Sequence, residues 1–170
     1  MPGAGTHDRP QSESESEADW IVREVWIAAT PEDVFPYFTD ADKLRVWKAA
    51  WVEADARPGG GFRADITGKG DIAYGAYLEI EPPRRIVFTW EWQREDLTEK
   101  PPASVVEVTL AADGGGTLLR LVHRGLPRQD RGGSGEGWAH YLSRLAVAAA
   151  GHDPGPDPWA AEAASERSNR

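Results

Sequence analysis

The amino-acid sequence predicts an α+β domain in which a series of short strands is followed by one long helix. Between Trp20 and His123 the chain consists mainly of short segments rich in β-branched and aromatic residues, separated by turn residues. From Trp138 to Gly151 the apolar residues instead recur at helical spacing and form one stripe. An amphipathic helix needs a surface on which to bury this stripe, so we expect it to cover the sheet that the strands form.

Length and composition limit the classes of protein to consider. With 170 residues, the chain is long enough for one domain and too short for two ordinary ones. It has no cysteine, which excludes disulfides and thiolate metal sites. A net charge of −9 without a basic stripe argues against nucleic acid as a partner. No apolar run or signal pattern predicts a membrane span or export, so we expect a cytoplasmic protein.

Three segments are expected along the chain. Residues 1–19 are acidic and nearly free of apolar side chains, with Ser-Glu alternation, which predicts a disordered N-terminal tail. Residues 20–151 carry the predicted strands and helices and form the domain. Residues 152–170 follow the end of the last helix and are predicted to be a flexible C-terminal tail.

Two short helices are predicted directly after the first strand, which spans Trp20 to Ala28. Thr30 is a suitable N-cap with Pro31 at the first helical position. Asp40 or Asp42 then begins a second short helix that continues to Trp47.

Six further strands are predicted after these helices, at residues 50–56, 61–67, 72–81, 84–92, 103–111 and 117–123. Counted with the first, they give seven consecutive, mostly antiparallel strands. Alternation gives each strand of the last hairpin two faces, one of which should meet the long helix. Ser104, Val106, Val108 and Leu110 share a face of the first strand, opposite Val105, Glu107 and Thr109. Thr117, Leu119, Leu121 and His123 share a face of the second, opposite Leu118, Arg120 and Val122.

The long helix is predicted from the repeated spacing of its apolar residues, which include Trp138, Tyr141, Leu142 and Leu145. Ser134 is the expected N-cap, and Gly151 can adopt the left-handed conformation that ends a helix.

Five motifs occur in an order typical of one family. They are Ala29-Thr-Pro-Glu-Asp-Val-Phe, Leu44-Arg-Val-Trp, the segment from Gly75 to Trp90 with its Pro82-Pro83 pair, Gly116-Thr-Leu-Leu-Arg-Leu-Val-His-Arg-Gly-Leu-Pro, and Gly137-Trp with Leu142 and Leu145. Together with the order of elements they resemble the helix-grip fold of the START and Bet v 1-like superfamily. More narrowly, residues 20–150 resemble bacterial relatives of the C-terminal domain of the Hsp90 ATPase activator, grouped as SRPBCC proteins.

The resemblance implies a seven-stranded curved antiparallel sheet wrapped on the C-terminal helix. It also implies an apolar cavity between them. Members of the superfamily bind lipids, sterols, polyketides or plant hormones, and some act as cyclases, aromatases or hydrolases. One fold therefore serves many functions, and the residues have to distinguish among them.

The aromatic residues favour a small-molecule site. The chain has eight tryptophans, and apolar rings with a few polar tips are the usual lining of a ligand cavity. The alternative is that the aromatic residues only fill the core. The predicted ligand-binding residues are Tyr74, Tyr77, Phe88, Trp90, Trp92, His123, Trp138, Tyr141, Leu142 and Leu145.

His123 is the one weak candidate for catalysis. It closes an otherwise apolar strand face, where an imidazole could orient a ligand or transfer a proton. The alternative is a histidine bonded to backbone or water. The histidines show no metal-ligand spacing, and Gly68-Lys-Gly-Asp-Ile-Ala lacks the following helix that a dinucleotide site needs. We therefore expect no metal, no cofactor and no assigned catalytic activity.

The resulting hypothesis is a domain that binds a small hydrophobic ligand of lipid, polyketide or aromatic type. Two alternatives stay open. One is a cyclase or hydrolase that uses His123 with a carboxylate in the same cavity. The other is a protein-interaction module of the Hsp90-activator type, with a chaperone or homodimer contact.

Overall fold

The computed structural model describes residues 19–94 and 102–160. The strands are β1 (Ile21–Ile27), β2 (Trp51–Ala54), β3 (Gly61–Asp65), β4 (Ile72–Glu81), β5 (Arg85–Trp92), β6 (Ser104–Asp113) and β7 (Gly116–Arg124). The helices are α1 (Pro31–Val34), α2 (Ala41–Trp47) and α3 (Arg128–Ala149), and a 3₁₀ turn at Phe35–Phe38 separates the first two. Residues 1–18 of the predicted N-terminal tail lie outside the described residues, and so do residues 161–170 of the predicted C-terminal tail.

The seven strands form one sheet in the order β1-β7-β6-β5-β4-β3-β2, and every neighbouring pair is antiparallel. The pairing of β4 with β5 shifts register between Tyr77 and Glu79, and such a bulge bends the strand and increases its twist. Helix α3 packs against β1 and α2. This is the α+β helix-grip arrangement that the sequence predicts.

The two short helices begin where their capping residues predict. Thr30 Oγ1 accepts a hydrogen bond from the backbone N–H of Asp33, and Asp40 Oδ1 accepts one from that of Asp42. Trp47 is the last residue of α2 and lies in the core, where it is 2% exposed. Lys48 follows as the C-cap residue of this helix and is also buried.

The predicted strand faces are confirmed in the last hairpin. Eight residues that alternation places on shared strand faces are all buried, namely Ser104, Val106, Val108, Leu110, Thr117, Leu119, Leu121 and His123. The apolar stripe of α3 packs into the same core, with Trp138, Tyr141, Leu142 and Leu145 buried. The core therefore lies between one face of the sheet and α3.

The start of α3 differs from the prediction. The helix begins at Arg128, after Pro127, so Ser134 lies inside it and does not cap it. Its 22 residues make it about 33 Å long at 1.5 Å per residue. Glycines at its start weaken the sequence signal for a helix. At Gly135, however, an added Cβ would lie 2.6 Å from Arg23 Nη2, so glycine permits close packing on β1.

The end of α3 agrees with the prediction. Gly151 has a φ of +92°, in the left-handed region that favours glycine. The N–H of Gly151 donates to the carbonyl of Ala148, and the N–H of His152 donates to that of Val147.

Candidate functional site

The space between the sheet and α3 is largely filled by aromatic side chains. The ring centroids of Trp90 and Trp138 lie 5.5 Å apart, and Phe62 lies 5.6 Å from Phe88. What remains is an apolar cavity of about 40 Å³, far smaller than the roughly 300–1,000 Å³ typical of ligand pockets. Its lining consists of Phe38, Leu44, Trp47, Lys48, Val52, Phe62, Ala64, Tyr77, Phe88, Trp90 and Trp138.

A much larger cleft of about 720 Å³ opens beside this cavity. Its walls come from the loop after β3, the end of β5 and the first turns of α3. Trp90, Trp138 and Lys48 line both the small cavity and the cleft. Three further aromatic residues, Trp92, Tyr141 and Trp159, line the cleft together with Ile66 and Ile72. Asp71, Arg94 and Asp130 supply charged side chains.

The predicted ligand-binding residues lie in different parts of the structure. Tyr77 and Phe88 line the small cavity, Trp90 and Trp138 line both spaces, and Trp92 and Tyr141 line the large cleft. Tyr74 lines a neighbouring cleft of about 570 Å³, which also includes Trp90 and Trp92. His123, Leu142 and Leu145 are buried in the core and line none of these three spaces.

Lys48 is the charged group at the junction of cavity and cleft. Its side chain is inside a cage of three rings, with Nζ 4.1 Å from the centroid of Tyr141 and 4.8 Å from those of Trp90 and Trp138. The residue is 8% exposed. An ammonium within about 6 Å of an aromatic face is attracted by the negative potential of the ring. Burial lowers the pKa of Lys48 to about 7, against the opposing charge of Asp157.

His123 is held by a chain of hydrogen bonds inside the core. Trp138 donates its indole N–H to His123 Nδ1 at 3.0 Å, and His123 Nε2 lies 2.8 Å from Ser104 Oγ. Ser104 in turn donates its hydroxyl to the backbone carbonyl of Trp90 at 2.6 Å. Because the indole can only donate, Nδ1 must accept, and the proton of neutral His123 belongs on Nε2, where it can be donated to Ser104.

These hydrogen bonds favour a structural role in which His123 holds the Trp138 ring in place. Burial, followed by the nearby charge of Lys48, lowers the pKa of His123 to about 3. The lone pair on Nδ1 is used by Trp138, and Nε2 faces Ser104. The catalytic role stays a prediction, and this geometry leaves neither ring nitrogen of His123 free for a ligand.

The segment after α3 packs along the helix and borders the cleft. Asp157 accepts hydrogen bonds from Tyr141 Oη, which is 2.8 Å away, and from the backbone N–H of Trp159. His140 Nε2 lies 2.8 Å from the same carboxylate, and the His140 ring stacks on Trp159 with centroids 4.1 Å apart. Burial and the bond to Asp157 raise the pKa of Tyr141. Part of the predicted flexible tail, residues 152–160, is therefore in contact with the domain.

Arg144 fastens this C-terminal segment to the rest of the structure. Its guanidinium donates to the backbone carbonyl of Gly155 at 2.9 Å and more distantly to those of Pro154 and Pro156. It also reaches the carbonyls of Val46 and Trp47 at 3.4 Å. A side chain on the polar face of α3 thus links the segment to the end of α2.

Comparison with known proteins agrees with the fold and the family resemblance. The sequence profile described as activator of Hsp90 ATPase homolog 1-like protein matches residues 28–150. The chain belongs to this family. No curated protein sequence matches the chain.

Several solved structures share this fold. An activator-like protein from Rhizobium etli is 42% identical, with 82% of this chain and 86% of that one covered and a TM-score of 0.62. CalU16 from Micromonospora echinospora is 30% identical, covering 78% of this chain and 76% of that one, with a TM-score of 0.64. DynU16, a protein in the dynemicin biosynthetic locus, is 25% identical with a TM-score of 0.68, and the match covers 82% of this chain and 50% of that one.

Two cleft residues of this family member are missed by sequence reasoning. Lys48 is not among the predicted site residues, although its position four residues after Leu44 places it on the same helical face as that apolar residue. Trp159 lies beyond the predicted domain, in the segment that is predicted to be a flexible tail. Within residues 19–94 and 102–160, no group of three or more histidine or acidic side chains is arranged to hold a metal ion. No described helix is long and apolar enough to cross a membrane.

Proposed function

We propose that this protein binds a small hydrophobic ligand in the cleft of about 720 Å³ beside α3. The observation that carries the proposal is the combination of this volume with a wall of aromatic rings from the sheet, from α3 and from the C-terminal segment. The volume lies within the usual range for small-molecule sites. The small cavity behind it has room only for an atom group at the tip of a ligand.

The surroundings of the cleft support this location. Trp90 and Trp138 are fixed by contacts to the core, so they present preformed apolar surfaces and lose little conformational entropy on binding. Trp92 is 36% exposed and Trp159 38% exposed, which leaves apolar area for a ligand to cover. A relative that belongs to a biosynthetic locus is also in accord with a small-molecule ligand.

Blocking the cleft tests the proposal directly. Gly133 lines the cleft, and a Cβ added there meets no atom within 4 Å. A phenylalanine at this position should therefore occupy the cleft without disturbing the core. We expect the neutral dye Nile red to bind the unmodified protein stoichiometrically at micromolar concentration and to bind Gly133→Phe much more weakly.

Gly132 provides a matched control for this substitution. It is the preceding residue of the same helix, has equally open space and does not line the cleft. Gly132→Phe should bind the dye as the unmodified protein does. Equal binding by all three proteins would place the dye elsewhere and contradict the proposal.

A protein contact is the second candidate function, and the family assignment itself favours it. The Aha1 protein of Colwellia psychrerythraea, which has a related fold at 17% identity, was solved as a dimer. Saturable binding to the purified middle domain of Hsp90, unchanged by Gly133→Phe, would support this function. Sedimentation of the protein alone would show whether two copies associate.

A further inference from the structure

We infer that Lys48 is an anion-recognition point at the floor of the cleft, and that the preferred ligand is an apolar or aromatic compound with one carboxylate. This inference rests on the proposed ligand-binding function of the cleft. It adds the chemical class of the ligand and the residue that recognises its charge.

The position of Lys48 supports this role. Its side chain is more than nine-tenths buried, yet it lines the cleft as well as the small apolar cavity. The three rings around Nζ belong to β5 and α3, so the ammonium is held where the sheet, α2 and α3 meet. A ligand that enters the cleft along Trp90 and Trp138 therefore reaches the ammonium with its leading group.

The hydrogen-bonding capacity of Lys48 is unused by the described residues. None of their oxygen atoms accepts a hydrogen bond from Nζ, which lies against the three ring faces. Asp157 is the acidic residue that acts on Lys48 electrostatically, but its oxygens already face Tyr141, His140 and the N–H of Trp159. A buried charge without an anionic partner is costly, and a ligand carboxylate would supply that partner.

The small number of cations in the cleft limits the charge of the ligand. Among its described lining residues, the only cation besides Lys48 is Arg94, whose Nη2 lies 3.4 Å from Asp130. A lysine is a compact point charge, in contrast to the planar fork with which arginine binds a phosphate through two bonds. One carboxylate matches one lysine, and the apolar remainder of the ligand lies against the aromatic wall.

A matched pair of probes separates the charge from the apolar contact. The probes are 2-naphthoate and 2-naphthamide, which share a ring system and differ in charge. Binding is measured by calorimetry for the unmodified protein, Lys48→Met and Lys43→Met. Lys43 is the control because it is on the same helix and its Nζ also lies over a ring, 4.7 Å from the centroid of Tyr37, but it does not line the cleft.

We expect Lys48→Met to raise the Kd of 2-naphthoate by about tenfold or more, the usual effect of losing a hydrogen bond to a charged group. The Kd of 2-naphthamide should change by less than about threefold, and Lys43→Met should affect neither probe. If 2-naphthamide binds the unmodified protein and Lys48→Met leaves 2-naphthoate binding unchanged, the inference fails and the proposed function stands. If neither probe binds and Nile red also fails to bind, both are overturned.

Discussion

The indole N–H of Trp138 donates to His123 Nδ1 at 3.0 Å and thereby joins α3 to β7 inside the core. The same histidine continues through Ser104 to the backbone of β5. A polar chain in a buried position is stabilising only when every member has a partner. Here the tautomer of His123 satisfies each donor and acceptor in turn, so the chain also fixes the orientation of Trp138 in the cleft wall.

Replacing His123 tests this hydrogen-bonded chain. His123→Leu should lower the free energy of unfolding by about 1–3 kcal/mol, because the buried indole N–H of Trp138 loses its acceptor. Trp138→Phe should lower the free energy of unfolding less in the His123→Leu background than in the unmodified protein. In that background the hydrogen bond between the two residues is already absent, so Trp138→Phe no longer removes it. Denaturant unfolding of the two single variants and the double variant measures this coupling. Strictly additive losses would mean that the bond contributes nothing.

The buried Lys48 should make stability depend on pH. Its pKa is about 7 in the folded protein, against an ordinary value of 10.5. Between these values the unfolded chain holds a proton that the folded protein has released, so the free energy of unfolding should rise as the pH increases from about 7 towards 10. Lys48→Met should remove this rise, and Lys43→Met should retain it.

Denaturant titrations at about pH 7 and pH 9.5 measure this difference, below the range in which tyrosines of the unfolded chain ionise extensively. The buried Tyr77, whose pKa is raised to about 12 by burial, stays protonated throughout. The same pH dependence in Lys48→Met as in the unmodified protein would show that other groups cause it.

Gly75 is required by the close approach of β4 to β5. An added Cβ would lie 2.0 Å from the carbonyl oxygen of Thr89 and 2.8 Å from the Phe62 ring. Gly75→Ala should therefore destabilise the protein by about 2 kcal/mol or more, through displacement of backbone. Gly61→Ala is the matched control in the neighbouring strand, because its Cβ would meet the Gly75 carbonyl oxygen at an ordinary 3.5 Å. Similar unfolding midpoints for the two variants would refute this explanation.

Substitutions of the adjacent residues Arg144 and Leu145 of α3 should have different effects, one local and one on global stability. Leu145 is fully buried, so Leu145→Ala should cost about 2–5 kcal/mol of global stability. Arg144 lies outside the apolar stripe of α3, where a substitution would ordinarily be nearly neutral. The structure instead gives Arg144 bonds to the C-terminal segment, so Arg144→Ala should release residues 152–160 with a smaller global loss.

Hydrogen exchange distinguishes these two effects. In Arg144→Ala, protection should fall in residues 152–160 before it falls in the sheet, whereas Leu145→Ala should lower protection throughout the core. Ser143→Ala is the control, because Ser143 is exposed and its hydroxyl donates to the backbone carbonyl of His140 within the same helix. Unchanged exchange in the segment after loss of Arg144 would show that other contacts hold it.

The local parts of the fold are determined by the sequence itself. Alternation identifies the buried face of β6 and β7, Thr30 and Asp40 mark the starts of the short helices, and Gly151 marks the end of α3. Strand alternation, N-capping and the left-handed glycine at a helix end each depend on residues only a few positions apart in the sequence, so the sequence alone reveals them. Five motifs in a family order then extend the local prediction to the helix-grip fold.

The candidate site depends on the tertiary structure. Lys48, Trp90, Trp138 and Asp157 are distant in sequence, and only the packing of α2, β5, α3 and the final segment brings them together. Aromatic rings fill most of the predicted cavity between the sheet and α3, and the larger open space is the cleft beside it. The early start of α3 at Arg128 also lies in a glycine-containing stretch, where Gly135 packs closely against Arg23 of β1. Burial and pairing depend on the neighbours that the fold supplies, and a local pattern does not contain those neighbours.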